Sequence, residues 1–427
     1  MNRKLILPGV TLLVMLACTL PAIAGTPTLD VSVISATQTA AALLTAVPPG
    51  DGDATAVVPE TAAPLEEGGP TQGGQPPDGD VQFIAYVRDG QLLVTDVSAN
   101  VQGGTTQYTL AGESDQVSDL AWSPNGEFVA FVSSARGEPH VFYIFALGQS
   151  SPVDLGAGSA PAWSPDSQSV AYIGASPNEN IWVTTIASPA ARQLTFENNF
   201  AWGRPVFTPD GESLIVAGAS RDNMGASGNT SFSLEYLELD GSGIRSPLPG
   251  LEPFEGGRLP YDMRFSPDGN WLSFSTSFHL SACASPGAYY ITNADGSSFQ
   301  ALVSPSMQAA IDPAQEHYHV GLSFDWLPSS DAIAGLGNVI DCSLNNPTSG
   351  QLIAAPQMSI IGLDGSERTI IPGFFYGISV DQTGTLIAAA HHSDGFNDMN
   401  PDVEIYSAQT GQMALSLGPG NHPQFQP

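Results

Sequence analysis

A short block of residues recurs six times along this chain, and it restricts the fold more than any other feature. It reads "LAWSPNGEFVAFVSS" from Leu120, "PAWSPDSQSVAYIGA" from Pro161, "PVFTPDGESLIVAGA" from Pro205 and "MRFSPDGNWLSFSTS" from Met263. Two copies are degenerate, "FDWLPSSDAIAGLGN" from Phe324 and "GISVDQTGTLIAAAH" from Gly377. The equivalent large residues are Trp122, Trp163, Phe207, Phe265, Trp326 and Val380. Recurrence of one motif along a chain is the mark of a repeat architecture.

Each copy has a physical reading. Ser/Thr-Pro-Asp/Asn-Gly suits a type I turn, because a short polar side chain opens it, Pro sets φ at the second position and Gly ends it. The run that follows, such as "FVAFV" or "SVAYI", is apolar at successive positions and therefore predicts a strand covered on both faces. A third strand follows in every unit, as in "HVFYIFAL" or "NIWVTTIA", with a short fourth one after a turn such as "DGSG". Four antiparallel strands per unit, packed between neighbours, describe a blade of an all-β propeller.

The equivalent positions are spaced by 41, 44, 58, 61 and 54 residues, as one structural unit with loop insertions would be. The last residues, "HPQFQP", align with "RPVFTP" from Arg204 and place Phe425 at the large-residue position and Pro427 at the turn proline. The complementary piece, "PPDGDVQFIAYVRDGQLLVTDV" from Pro76, resumes with the second and third strands. The expectation is a seven-bladed β-propeller with four antiparallel strands per blade, its ring closed by the C-terminal strand, which leaves no free sheet edge at the join.

Upstream of residue 76 the pattern changes. "MNRK" followed by "LILPGVTLLVMLACTL" and "PAIA" has the basic, apolar and small-residue regions of a signal peptide over 1–24, with Ala22 and Ala24 at the −3 and −1 positions. A second reading uses "VMLAC" as an imperfect lipobox, with Cys18 as a lipidated first residue. Residues 25–75 are rich in Ala, Thr, Pro and Gly and lack aromatics, as expected of a disordered spacer. The propeller occupies 76–427. Both readings put the mature protein outside the cytoplasm, extracellular or periplasmic, with the membrane reached only through a lipid anchor. The 42 acidic residues against 11 basic ones give a net charge of −31, which excludes nucleic acid as a partner.

These "WSPDG"-type units resemble the TolB-like, WD-related β-propeller repeats of exported bacterial proteins, over residues 76–427. The resemblance implies fold and not activity. TolB carries an α/β domain before its propeller, and here a spacer stands in that place. Similar repeats precede the catalytic domain of prolyl oligopeptidase-like enzymes, but this sequence has no G-x-S-x-G nucleophile elbow.

Candidate site residues lie on the loops expected after the second and fourth strands, which crowd around the fourth to sixth blades. Cys283 and Cys342 fall 18 and 16 residues past Phe265 and Trp326, at matching heights in neighbouring blades, and are expected to form a disulfide. His317 and His319 stand at i and i+2 where an inner strand begins, with Gln315 adjacent and His279, His391 and His392 on loops of the same face. Converging imidazoles bind a transition metal, and the resembling oligogalacturonate lyases use a His/Gln-bound metal; the plainer reading is solvated surface histidines. "DMNPDVE" gives Asp398, Asn400, Asp402 and Glu404 the alternation of a calcium loop, but it lacks the glycine of an EF-hand turn and aligns with an ordinary third strand. No cofactor is expected, with a transition metal or calcium as the exceptions to test.

The expected function is an extracytoplasmic, non-catalytic binding or scaffolding propeller, monomeric, that recognises an envelope or extracellular protein or a glycan through its loop face. The competing expectation is a metal-dependent polysaccharide lyase or hydrolase of the oligogalacturonate-lyase type, with His317 and His319 as metal ligands.

Overall fold

The computed structural model describes residues 82–97, 105–108, 116–134, 138–145, 151–175, 179–224, 230–249, 251–252, 254–257, 259–260, 262–276, 289–342, 351–393 and 400–427. The chain divides into two compact units, Met1–Gln72 and Gly73–Pro427, and every described residue belongs to the second. The signal segment, Cys18 and the spacer lie outside the described residues, as do His279, Cys283 and Asp398.

The recurring turn forms as its chemistry demands. In all six copies an amide donates back to the carbonyl three residues earlier: Gly126 to Ser123, Ser167 to Ser164, Gly211 to Thr208, Gly269 to Ser266, Ser330 to Leu327 and Gly384 to Asp381, at 2.8–2.9 Å. Each donating residue has φ between 60° and 74°, so a type I turn is followed by one left-handed residue within a four-residue hairpin loop, closed in the first copy by Ser123 N donating to Phe128 O. In four copies the opening hydroxyl also accepts the amide five residues on, Phe128, Ser169, Ser213 or Trp271. Where serine replaces glycine at the left-handed position, its hydroxyl accepts an amide of the neighbouring turn: Asn125 N to Ser167 Oγ and Asp268 N to Ser330 Oγ, both 3.0 Å.

The strand after each turn is buried along its length, as in Phe128–Ser133 and Ala332–Asp341. It pairs antiparallel with the strand before the turn, Trp122 opposite Val129 and Trp163 opposite Val170. The described chain is all-β, in several antiparallel sheets whose apolar faces pack on one another. Four sheets have four strands each. The other two depart from the four-strand expectation. Val153–Trp163 is one continuous strand that pairs at its start with His140–Phe145 and at its end with Ser169–Gly174, which merges two four-strand units into one seven-stranded sheet. The spacing of 41 residues there is the shortest in the chain and leaves no residues for a separate connection. In the six-stranded sheet, Gly203 to Pro205 interrupt the first strand, which becomes Phe200–Trp202 and Val206–Phe207.

Asn421–Phe425 pairs antiparallel with Phe83–Arg88, Phe425 opposite Ile84. Gln426 N donates to Phe83 O at 2.9 Å, and Arg88 reaches back to the carbonyls of Leu417 and Pro419 at 2.6 Å each. Phe425 is 4% exposed in a cluster with Ile84, Tyr86, Leu93, Ala388, Val403 and Ile405. Burying one such side chain is worth about 2–3 kcal/mol, so the last residues of the chain are held by its first described strand.

Candidate functional site

The strands that precede the turns line one cavity of about 1260 Å³. A β-bulge breaks the register of five of them, between Ser118 and Ala121, Ser159 and Ala162, Gly321 and Ser323, Tyr376 and Ser379, and opposite Ala85 to Val87 in the C-terminal strand. In four cases the residue at the bulge is left-handed: Asp119 (φ 50°), Ala160 (55°), Gly377 (61°) and His422 (51°). Three of these carry a Cβ, and a left-handed conformation costs such a residue about 1–2 kcal/mol. A bulge re-aims the side chain it carries. The position concerned is the third before each large residue, and it reads Asp119, Ala160, Arg204, Asp262, Ser323, Gly377 and His422. All but Ala160 line the cavity.

The charges in this collar are paired. Arg204 NH2 is 2.9 Å from Asp119 Oδ1, and its NH1 donates to Pro161 O at 3.1 Å. Arg264 Nε is 2.9 Å from Asp262 Oδ1 and its NH1 is 2.8 Å from Asp325 Oδ1. Asp325 Oδ2 accepts Val380 N at 2.8 Å. Burial works against the Arg264 charge, but Asp262 and Asp325 outweigh it and hold its pKa above the ordinary value. Burial pushes the Asp325 carboxyl up, against the pull of Arg264 and the Val380 amide. His422 faces Asp119, Arg204 and His392; burial, with Arg204 and His392, lowers its pKa against the opposing effect of Asp119. It is a neutral imidazole on an accessible wall of the cavity at neutral pH. Met224, on the connection after Ser213–Ser220, also reaches the cavity, so the collar opens on the side of the inserted loops.

The residues singled out from the sequence are distributed differently. His319 is 7% exposed, edge-to-face on Tyr289 at 5.8 Å, and neither ring nitrogen has a hydrogen-bond partner. Gly337 makes room for it, since a Cβ there would sit 2.7 Å from Nε2. Burial lowers its pKa from 6.5 to about 4. His317 shares that strand face, but its Nδ1 accepts Asp312 N at 3.1 Å, and Gln315 is exposed in the turn before it. Neither histidine lines the cavity. His391 stacks on Phe375 at 4.9 Å, with Nδ1 3.0 Å from Glu404 Oε2. His392 lies edge-to-face on Tyr376 at 5.0 Å. Asp402 and Glu404 belong to the third strand of their sheet, Asp402–Ser407. Cys342 is buried after Ala332–Asp341, where its amide donates to Glu316 O. Among the described residues no group of three or more His, Cys, Asp or Glu side chains is placed to hold a metal, and no helix is long and apolar enough to cross a membrane.

A sequence model of the "WD domain, G-beta repeat" family matches residues 104–137. Over that stretch the chain is similar to WD-type β-propeller repeats. TolB from Acinetobacter baumannii is 15% identical, with 82% of this chain and 68% of that one aligned and a TM-score of 0.46. An oligogalacturonate lyase from Vibrio parahaemolyticus is 12% identical over 79% of this chain and 85% of its own, with a TM-score of 0.52; at such identity the likeness is one of fold. The "Uncharacterized peptidase YuxL" of Bacillus subtilis (strain 168) is 26% identical over 196 residues, 38% of this chain. Those residues span 29% of that relative's length.

The collar residues were not singled out from the sequence. Their signal was available, because each stands three places before an already aligned large residue. No shared residue type marks the position, and the bulge that turns it inward leaves no letter in the pattern.

Proposed function

We propose that the chain is an exported, non-catalytic binding or scaffolding propeller of seven blades that takes an envelope or extracellular protein, or a glycan, at the loop-side mouth of its cavity. The observation that carries this reading is the collar of Asp119, Arg204, Asp262, Ser323 and His422, one residue per inner strand, around about 1260 Å³. A pocket of that size with a few convergent polar groups is what ligand sites are built from. Its charges are already paired across sheets, so a ligand meets a preorganised surface.

Seven blades and a ring completed by the C-terminal strand are supported by a circuit of hydrogen bonds. It runs from Gln424 O to Trp122 Nε1, Ala121 O to Trp163 Nε1, Pro161 O to Arg204, and Pro260 O to Arg204 N. It continues through Arg264 to Asp325, Asp325 to Val380 N, and Ser379 Oγ to Phe425 N. Export rests on the N-terminal sequence, and a disulfide between Cys283 and Cys342 belongs to the same reading.

The test is a thermal-shift screen of the purified protein against envelope-protein peptides and glycans, repeated with Arg204→Gln. Ligands whose stabilisation disappears in the variant support the collar. Hits that all survive it would remove the collar from the reading. Elemental analysis of wild type and of His317→Ala/His319→Ala addresses the metal-dependent lyase or hydrolase. A stoichiometric transition metal lost in the double variant would replace the binding reading with that one.

A further inference from the structure

The other end of the cavity is built from the turns. Their second residues are Pro124, Pro165, Pro209, Pro267, Pro328 and Gln382, with Pro427 equivalent in the C-terminal peptide, and all seven are exposed. Pro124, Pro267, Pro328, Gln382 and Pro427 share the cavity lining. Adjacent turns touch: a Cβ on Gly211 would lie 3.6 Å from Pro165, one on Gly269 2.9 Å from Pro209, and one on Gly384 3.2 Å from Pro328. Gln426 Nε2 donates to Gly126 O at 2.8 Å. Neighbouring turns thus stand against one another, and Pro124, Pro267, Pro328 and Pro427 give this end of the cavity an apolar collar. Its rim has the opposite character. Glu127, Asp166, Asp210, Glu212, Asp268 and Asp331 are exposed on the same turns, and none of the six turn segments contains Lys or Arg. Hydrogen bonds from Ser164, Thr208 and Ser266 lower the pKa values of Asp166, Asp210 and Asp268, so these carboxylates are charged at neutral pH.

We propose that this turn face docks a basic segment of a partner protein that carries an aromatic side chain. The ring seats on the proline collar, whose C–H groups meet its negative π-face, and the flanking Lys or Arg residues meet the acidic rim. The charge selects the occupant: an anionic segment is repelled, and a neutral one leaves the rim unused. Backbone geometry alone does not account for the collar, because the turn with Gln382 keeps the same hydrogen bond and the same left-handed fourth residue.

The experiment measures fluorescence anisotropy of the labelled pentapeptide amide Lys-Lys-Trp-Lys-Lys on the full chain, beside Lys-Lys-Gly-Lys-Lys and Glu-Glu-Trp-Glu-Glu. Asp166→Asn/Asp210→Asn/Asp268→Asn removes three charges and leaves the turns intact, since Asn125 already makes the same Oδ1 contacts in the first turn. Pro267→Gln/Pro328→Gln imitates the turn of Gln382. The Trp peptide is expected to bind, with affinity falling about tenfold for the Gly peptide and for each variant and the salt dependence weakening in the Asn variant. Absence of binding by the Trp peptide at millimolar concentration, equal binding by the Gly peptide, or full affinity in the triple Asn variant would each overturn the proposal.

Discussion

The indole Nε1 of Trp122 donates to the carbonyl of Gln424 at 2.9 Å, across 302 residues of sequence. Both ends of the bond are repeat positions, the large residue of the first complete copy and the residue before Phe425 in the last, incomplete one. The C-terminal peptide thereby touches two sheets: it pairs with Phe83–Arg88 and is gripped by the next inner strand.

Truncation after Leu417 removes that strand, leaves the Trp122 indole without its acceptor and uncovers Ile84 and Tyr86. The melting temperature of the truncated protein is expected to fall by about 5 °C or more. If it melts with the full-length chain in calorimetry, the peptide is not a structural strand.

Arg264 is held between Asp262 and Asp325. Arg264→Met leaves two carboxylates facing each other in a confined space, and an unfolding penalty of about 3 kcal/mol is expected in urea titrations. Adding Asp262→Asn and Asp325→Asn should recover most of it, because Asn still accepts the Val380 amide. Equal stability of the single variant and the wild type would show the pair to be solvent-screened.

His319 makes stability depend on pH. Its pKa of about 4 in the folded chain lies below the ordinary 6.5, so between these values the unfolded chain binds a proton that the folded one does not. Stability is therefore fully present above pH 6.5 and declines as pH falls, by about 3 kcal/mol at pH 4. His319→Phe should remove that contribution and be as stable as wild type at pH 7, because no hydrogen bond is lost. Parallel pH profiles of variant and wild type would contradict it.

Ser167 sets a strained backbone against a hydrogen bond. Ser167→Ala keeps φ near 61° and loses the contact with Asn125 N, so it should cost about 1 kcal/mol; Ser167→Gly also relieves the strain and should be near neutral. Chemical denaturation of the two variants distinguishes them, and the reverse order would refute the account.

The two cysteines offer a chemical test. Denaturing alkylation of the exported, oxidised protein is expected to label neither Cys283 nor Cys342. Labelling of both without reductant would exclude the bridge.

What the sequence determined by itself was local and periodic. Ser-Pro-Asp-Gly is both cause and signature of its turn, an unbroken apolar run announces a strand covered on both faces, and "HPQFQP" is legible as a partial repeat because six other copies show what is missing. Tertiary structure decided where side chains point. Residues two apart on a strand share a face, so His317 and His319 lie on one side of their strand. Which face it would be depended on Tyr289 and on the absent Cβ atoms of Gly321, Gly335 and Gly337, which admit rings from another sheet and from the strand itself. The collar was decided at the bulges: one extra residue in the inner strand turns Asp119 and His422 into the cavity, and that depends on pairing between strands that no single segment contains.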